Sequence, residues 1–246
     1  MTASRGPQDA HRDALQAGAR SAPATHWGRK LRPPREPFNA VSHLLGVILA
    51  VSGGIYLLVA SAGEPWRTAS FATYALASIG LFTASTLLHA LPDRPPLGER
   101  LRRADHAAIF LLIAGSYTPV MLVTLHERGS GWTWPLFGVV WGLAAAGALF
   151  KLLFFRMPRG LSTALYVALG WLALLALGAI VHAMRPGGVA LLVGGGLLYS
   201  LGAVVFALER PDPAPRSFGY HGLWHLFVLA GWSAHFAMMA LYVLPM

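Results

Sequence analysis

His221 and His225 stand four residues apart in a stretch, 217–246, that holds no Asp, Glu, Lys or Arg. On a helix two such residues are rotated by about 40° and separated by about 6 Å along the axis. Both imidazoles can then reach one metal ion, as in His-x-x-x-His metal helices. A third histidine from another helix would complete the three-His set of a catalytic zinc site and leave one position for water. His89 is the natural candidate, because it is the only histidine in the uncharged window 68–92. The competing reading is a chance pair of hydrogen-bonded core histidines. The chain has no cysteine, so thiolate ligands, thiolate nucleophiles and disulfides are excluded together.

Further polar residues surround these three. Ser85 lies one helical turn before His89, and Asp105 sits just ahead of the next uncharged window. Glu36, Asn39 and His43 are spaced three and four apart and so share one helix face. Asp105 has the chemistry to orient a water, take its proton or hydrogen-bond a ligand histidine. Ser85 has the chemistry to donate to a developing oxyanion, and the alternative for it is packing or a bond to its own backbone. Glu36, Asn39 and His43 are the supporting polar cluster. His235, His126, His182 and His106 are expected to lie away from the ligand set. His235 is expected to be a hydrogen-bonded core residue, and His106 to point elsewhere on its helix.

What could hold these residues at one depth follows from the distribution of charge. Only 12% of the 246 residues are charged, 55% are hydrophobic, and the mean hydropathy is +0.54. An ordinary soluble domain carries about 25% charged residues. The charges fall in clumps that leave seven uncharged windows: 37–63, 68–92, 106–126, 129–150, 160–184, 186–208 and 217–246. Each is long enough to cross a bilayer once as a helix of about 20 residues. The fold class predicted is therefore all-α: a seven-transmembrane-helix bundle over 37–246. It is preceded by a basic, mostly disordered tail over 1–36, and Pro119 is expected to kink the third helix.

Sixteen of the nineteen Lys and Arg residues fall on one side of such a bundle, leaving Arg67, Arg128 and Arg185 on the other. The positive-inside bias then places the N-terminus in the cytoplasm and the C-terminus outside. That orientation is opposite to a G-protein-coupled receptor. Lys30 and Lys151 are the only lysines, so the last helix offers none for a retinal Schiff base. The net charge of +9 reads as a topology signal, and no nucleic-acid partner is expected. In this frame Glu36, Asn39, His43, Ser85, His89, Asp105, His221 and His225 all approach the cytoplasmic leaflet from four helices.

Three motifs carry a resemblance. They are Glu36-x-x-Asn39-x-x-x-His43; Ser85-x-x-x-His89 followed by Asp105 and "IAGSYTP" at 113–119; and His221-x-x-x-His225 within "FGYHGLWHLFVLAGWSAHF" after Pro211, Pro213 and Pro215. Over about 36–240 the sequence resembles the hemolysin III branch of the progestin and adipoQ receptor superfamily. It departs at Gly222, where many bacterial members are expected to carry Glu. The resemblance implies a multi-pass protein of the bacterial inner membrane with zinc on His89, His221 and His225 and with Asp105 close by. In the receptor branch of that superfamily the site is associated with hydrolysis of ceramide-like amides, and the bacterial branch takes its name from a cytolytic activity.

Three functions compete. The first is a zinc-dependent hydrolase of lipid amides or esters, with Asp105 and Ser85 as catalytic residues, membrane lipids as partners and a ceramide-like or fatty-acyl substrate. The second is a non-enzymatic membrane-state sensor or lipid-binding regulator with structural zinc. The third is a cytolytic, hemolysin-type pore. A pore needs a continuous polar lining, and the polar residues crowd at one end.

Overall fold

The computed structural model describes residues 35–154, 157–215 and 217–246. The expected basic tail lies almost wholly outside the described residues. Among the described residues seven helices are long and apolar enough to cross a bilayer: α1 Pro37–Ala60, α2 Pro65–Ala90, α3 Leu97–Leu125, α4 Thr133–Phe154, α5 Arg159–Ala183, α6 Pro186–Leu208 and α7 Tyr220–Val243. Proline opens α1, α2 and α6, where its missing N–H leaves no helical bond unmade. The α1–α2 and α3–α4 connections turn at Gly63 and Gly129, whose φ values of 95° and 67° favour glycine. Consecutive helices α1 to α4 pack in order, α6 packs on α7, and α7 returns to α1, while α5 leans on α3 and α6.

The bundle is built as lipid requires. Large apolar side chains such as Val41, Ile48, Ile55 and Val59 face outward on α1, while Asn39, Ser42, Ser78, Ser85 and His225 are buried. Small residues allow the helices to touch. A side chain at Gly46 would meet the Phe82 ring within 2.5 Å, and one at Gly195 would meet His235 and the Gly231 carbonyl. Within the Gly194–Gly196 run the tightest approach is at Gly195.

Two features differ from the sequence reading. Helix α3 begins at Leu97, so Asp105 and His106 lie two turns inside it instead of opening it. Uncharged windows mark the apolar slab, and a helix continues past that slab wherever its backbone bonds can be made. Helix α5 is also broken. An α-helical segment Arg159–Gly170 passes into a 3₁₀ turn Trp171–Ala176 before Leu177–Ala183. The Tyr117 hydroxyl donates to the Gly170 carbonyl at 2.6 Å and accepts from the Ala173 amide at 2.7 Å. It thereby satisfies groups that the break releases. Pro119 sits where α3 changes to a π-helical segment, Val120–Leu125.

Candidate metal centre

His89 comes from the last turn of α2, and His221 and His225 come from the first turns of α7. One ring nitrogen from each lies within 4.8 Å of those of the other two. The ring centroids form a nearly equilateral triangle with sides of 4.9, 4.8 and 4.9 Å, and the rings cross at 83°, 72° and 78°. Edge-on rings of this kind aim nitrogens at a common centre. The three residues that spacing and depth selected are brought together.

The hydrogen bonds decide which nitrogens are on offer. His89 Nδ1 lies 2.8 Å from Glu36 Oε2. This bond from His89 is the largest influence holding the Glu36 carboxyl down to about 2, well below the ordinary carboxylate range. An ionised carboxylate only accepts, so Nδ1 carries a proton, and the neutral ring presents its lone pair at Nε2. His89 Nε2 is buried and has no hydrogen-bond partner among the described residues. His225 Nδ1 lies 3.2 Å from Ser42 Oγ, whose own proton goes to the Asn39 carbonyl at 3.0 Å. The hydroxyl therefore accepts from His225, and Nε2 again is left over. A carboxylate or backbone-anchored acceptor behind each imidazole is the usual support of a metal-binding histidine. An orphaned buried nitrogen and a set of neutral imidazoles fit a divalent cation such as zinc.

Glu36 is joined to the site twice. It caps α1, and its backbone N–H donates to the His89 carbonyl at 3.1 Å. Asn39 Nδ2 donates to the same Glu36 Oε2 at 2.7 Å. His43 does not join the ligand set. It stacks on His225 with 3.7 Å between centroids and 13° between planes, and both its nitrogens are buried without partners among the described residues. Ser85 and Asp105 line the same cavity as the triad. His106, expected to point elsewhere, also lines it; its Nδ1 donates to the Arg102 carbonyl at 2.8 Å and lies 3.7 Å from Asp105 Oδ2. Among the described residues the remaining histidines, His126, His182 and His235, stand outside the ligand triad. His235 is buried and bonded to the Leu192 carbonyl at 3.1 Å, and His182 is exposed.

Sequence reasoning missed Ser42 and Lys151. Ser42 immediately precedes His43 and shares a helical turn with Asn39, a signal that was available. Lys151, 2% exposed, lies on the last turn of α4, lines the cavity and donates to Ser162 Oγ at 2.5 Å. Sequence gave it only the role of a topology charge.

The cavity has a volume of about 570 Å³, in the range that holds small-molecule ligands. Its lining includes the partly exposed Arg35, Arg102 and Arg159, together with the apolar Leu81, Ile109, Ile113, Val167 and Val228.

A family model described as haemolysin-III related matches residues 31–236. The chain is 38% identical over 210 residues to Hemolysin-3 of Bacillus cereus, covering 84% of this chain and 91% of that protein. It is 35% identical over 207 residues to the Hemolysin-3 homolog of Bacillus subtilis (strain 168), covering 83% and 92%. A matched family model over most of the chain, near-full-length relatives and seven bilayer-length helices agree, and this multi-pass membrane protein belongs to the hemolysin III family.

Proposed function

We propose that the protein is a zinc-dependent hydrolase of lipid amides or esters, working at the cytoplasmic side of a bacterial inner membrane. One observation carries this reading: three converging imidazoles share a cavity with Asp105, Ser85 and apolar walls. Zinc, when bound, supplies a Lewis acid that polarises a carbonyl and lowers the pKa of a water.

The protein's residues supply the rest. His89, His221 and His225 would hold the ion, and Glu36 and Ser42 fix the rings of His89 and His225. Asp105 takes the proton of the attacking water at a carboxylate oxygen and returns it to the leaving amine or alcohol as the acyl bond breaks. Ser85 Oγ donates to the oxygen that gains charge on the acyl carbon. The apolar walls receive an acyl chain and keep bulk water from the reacting bond. The names of the relatives attach haemolysis to those proteins. For this chain, apolar walls running inward from the triad support a lipid chamber over a conducting path.

The test is elemental analysis of purified wild type against His225→Ala, followed by mass spectrometry of fatty acid released from ceramide-like amides and acyl esters. The expected result is zinc in the wild type alone and release by the wild type alone. Zinc-loaded wild type that releases fatty acid from neither class, with His89→Ala altering only stability, overturns the reading.

A further inference from the structure

The large cavity does not end in mid-bundle for want of space. A second cavity of about 50 Å³ lies beyond it, and the two share a wall made of Ser116, Tyr117, Gly170, Trp171, Gly196 and His235. The order is the same on every helix that contributes. On α5 the larger cavity is lined as far as Gly170 and Trp171, and the smaller continues through Ala173, Leu174, Leu177 and Ile180. On α6 the larger takes Ala203, Ser200 and Gly196, and the smaller continues to Val193 and Leu192. On α3 the handover falls at Ser116 and Tyr117, with Val120 in the smaller cavity alone. The smaller space thus lies farther along α3, α5 and α6 than the larger one, and the six shared residues line both.

Trp171 is the member of that shared wall whose position is fixed across the gap. Its Nε1 donates to Ser200 Oγ on α6 at 2.9 Å, and Ser200 donates to the Gly196 carbonyl at 2.8 Å. The indole is thus a bar hung from the broken turn of α5 and tied to α6. Gly196 leaves room beside it: an added Cβ would rest 3.5 Å from the Trp171 ring, an ordinary contact. His235 joins the shared wall from α7, ten residues and about 15 Å along the axis from His225. An apolar chain held with its reactive end at the triad and running along α7 meets this bar.

We propose that Trp171, backed by Gly196 and His235, sets the length of the acyl chain that the cavity accepts. The proposal rests on the lipid-chain part of the function proposed above, and it makes Trp171 a specificity residue. Shortening the bar joins the apolar smaller cavity to the larger one and admits longer chains. Filling the space at Gly196 raises the floor and excludes them.

The experiment measures binding of a homologous series of saturated fatty acids to the purified, metal-loaded full chain by native mass spectrometry, in wild type, Trp171→Ala and Gly196→Leu. In wild type, affinity should rise about fourfold for each added methylene until the chain reaches the floor, and then level off. Trp171→Ala should move the plateau to longer chains and Gly196→Leu to shorter ones, with metal content unchanged in both. Ser200→Ala, which only unties the indole, should blur the cut-off and serves if either larger change prevents folding. One plateau length in all variants, shifts in the same direction, or a wild type that binds no fatty acid overturns the proposal. Because binding is read without turnover, a clear cut-off with no hydrolysis of any acyl lipid overturns the hydrolase reading alone.

Discussion

Glu36 and His89 are joined at two points, through the Glu36 amide on the His89 carbonyl and through Glu36 Oε2 on His89 Nδ1. The first residue of the α1 cap thus fixes both the backbone and the ring of a ligand on α2. Loss of the carboxylate frees the ring and removes a charge-assisted bond. Glu36→Ala should weaken metal binding by about 10- to 100-fold, measured by competition with a chromophoric chelator. Ser42→Ala removes a neutral acceptor from His225 and should weaken it less, since bonds to charged partners are roughly twice as strong. Equal losses, or none, would contradict the roles given to the two residues.

His43 is a buried imidazole with unmet bonding capacity beside a ligand ring. Two unpartnered nitrogens destabilise a fold, and an apolar side chain of the same shape removes that penalty. His43→Phe should keep the stack on His225 and bind metal as wild type does. Thermal unfolding should shift upward, by about 1–3 kcal/mol of added stability. A lower melting temperature with loss of metal would instead make His43 a structural partner of the centre.

Gly46 lies under the Phe82 ring, which in turn stands edge-on to His43 with 5.2 Å between centroids. A methyl group there strikes the body of the ring, with the nearest ring carbons at 2.5 and 2.7 Å. Gly46→Ala should therefore destabilise the protein by about 1–3 kcal/mol, readable as a lower unfolding temperature. Gly142→Ala, where nothing lies within 4 Å of the added carbon, is the control and should be neutral or slightly stabilising.

The proposed orientation is open to chemistry because the chain has no cysteine of its own. Leu97 sits at the triad end, His182 sits at the far end, and both are exposed. In intact cells a membrane-impermeant maleimide should label His182→Cys and spare Leu97→Cys, with both reacting after lysis. The reverse pattern would invert the topology read from the Lys and Arg distribution.

The seven helices and the triad were legible because both are periodic or exclusionary signals. Uncharged windows report the apolar slab, a His pair at i, i+4 reports one helix face, and His89 had no rival on its helix. Contacts between helices carry no such period. Glu36 was visible as a polar residue near the right depth, yet nothing in its spacing points to His89, 53 residues away. Ser42 escaped because a serine in an apolar helix ordinarily bonds its own backbone. It does so here, through the Asn39 carbonyl, and its remaining lone pair serves His225. Lys151 was counted as a charge at a helix end, and only the fold shows Ser162 across from it. The break in α5 has only Gly170 as a local mark, since its support comes from Tyr117 on another helix.

That support has a wider meaning. A phenol on α3 holds open the turn from which Trp171 hangs, donating to one backbone group and accepting from another. Water is not at hand in a bilayer to replace it, and Phe at this position would strand both groups. The reach of the cavity is thus written on a helix that contributes neither the bar nor a ligand. A family member could change the molecules it admits by altering the residue that supports the bar while the bar itself stays in place.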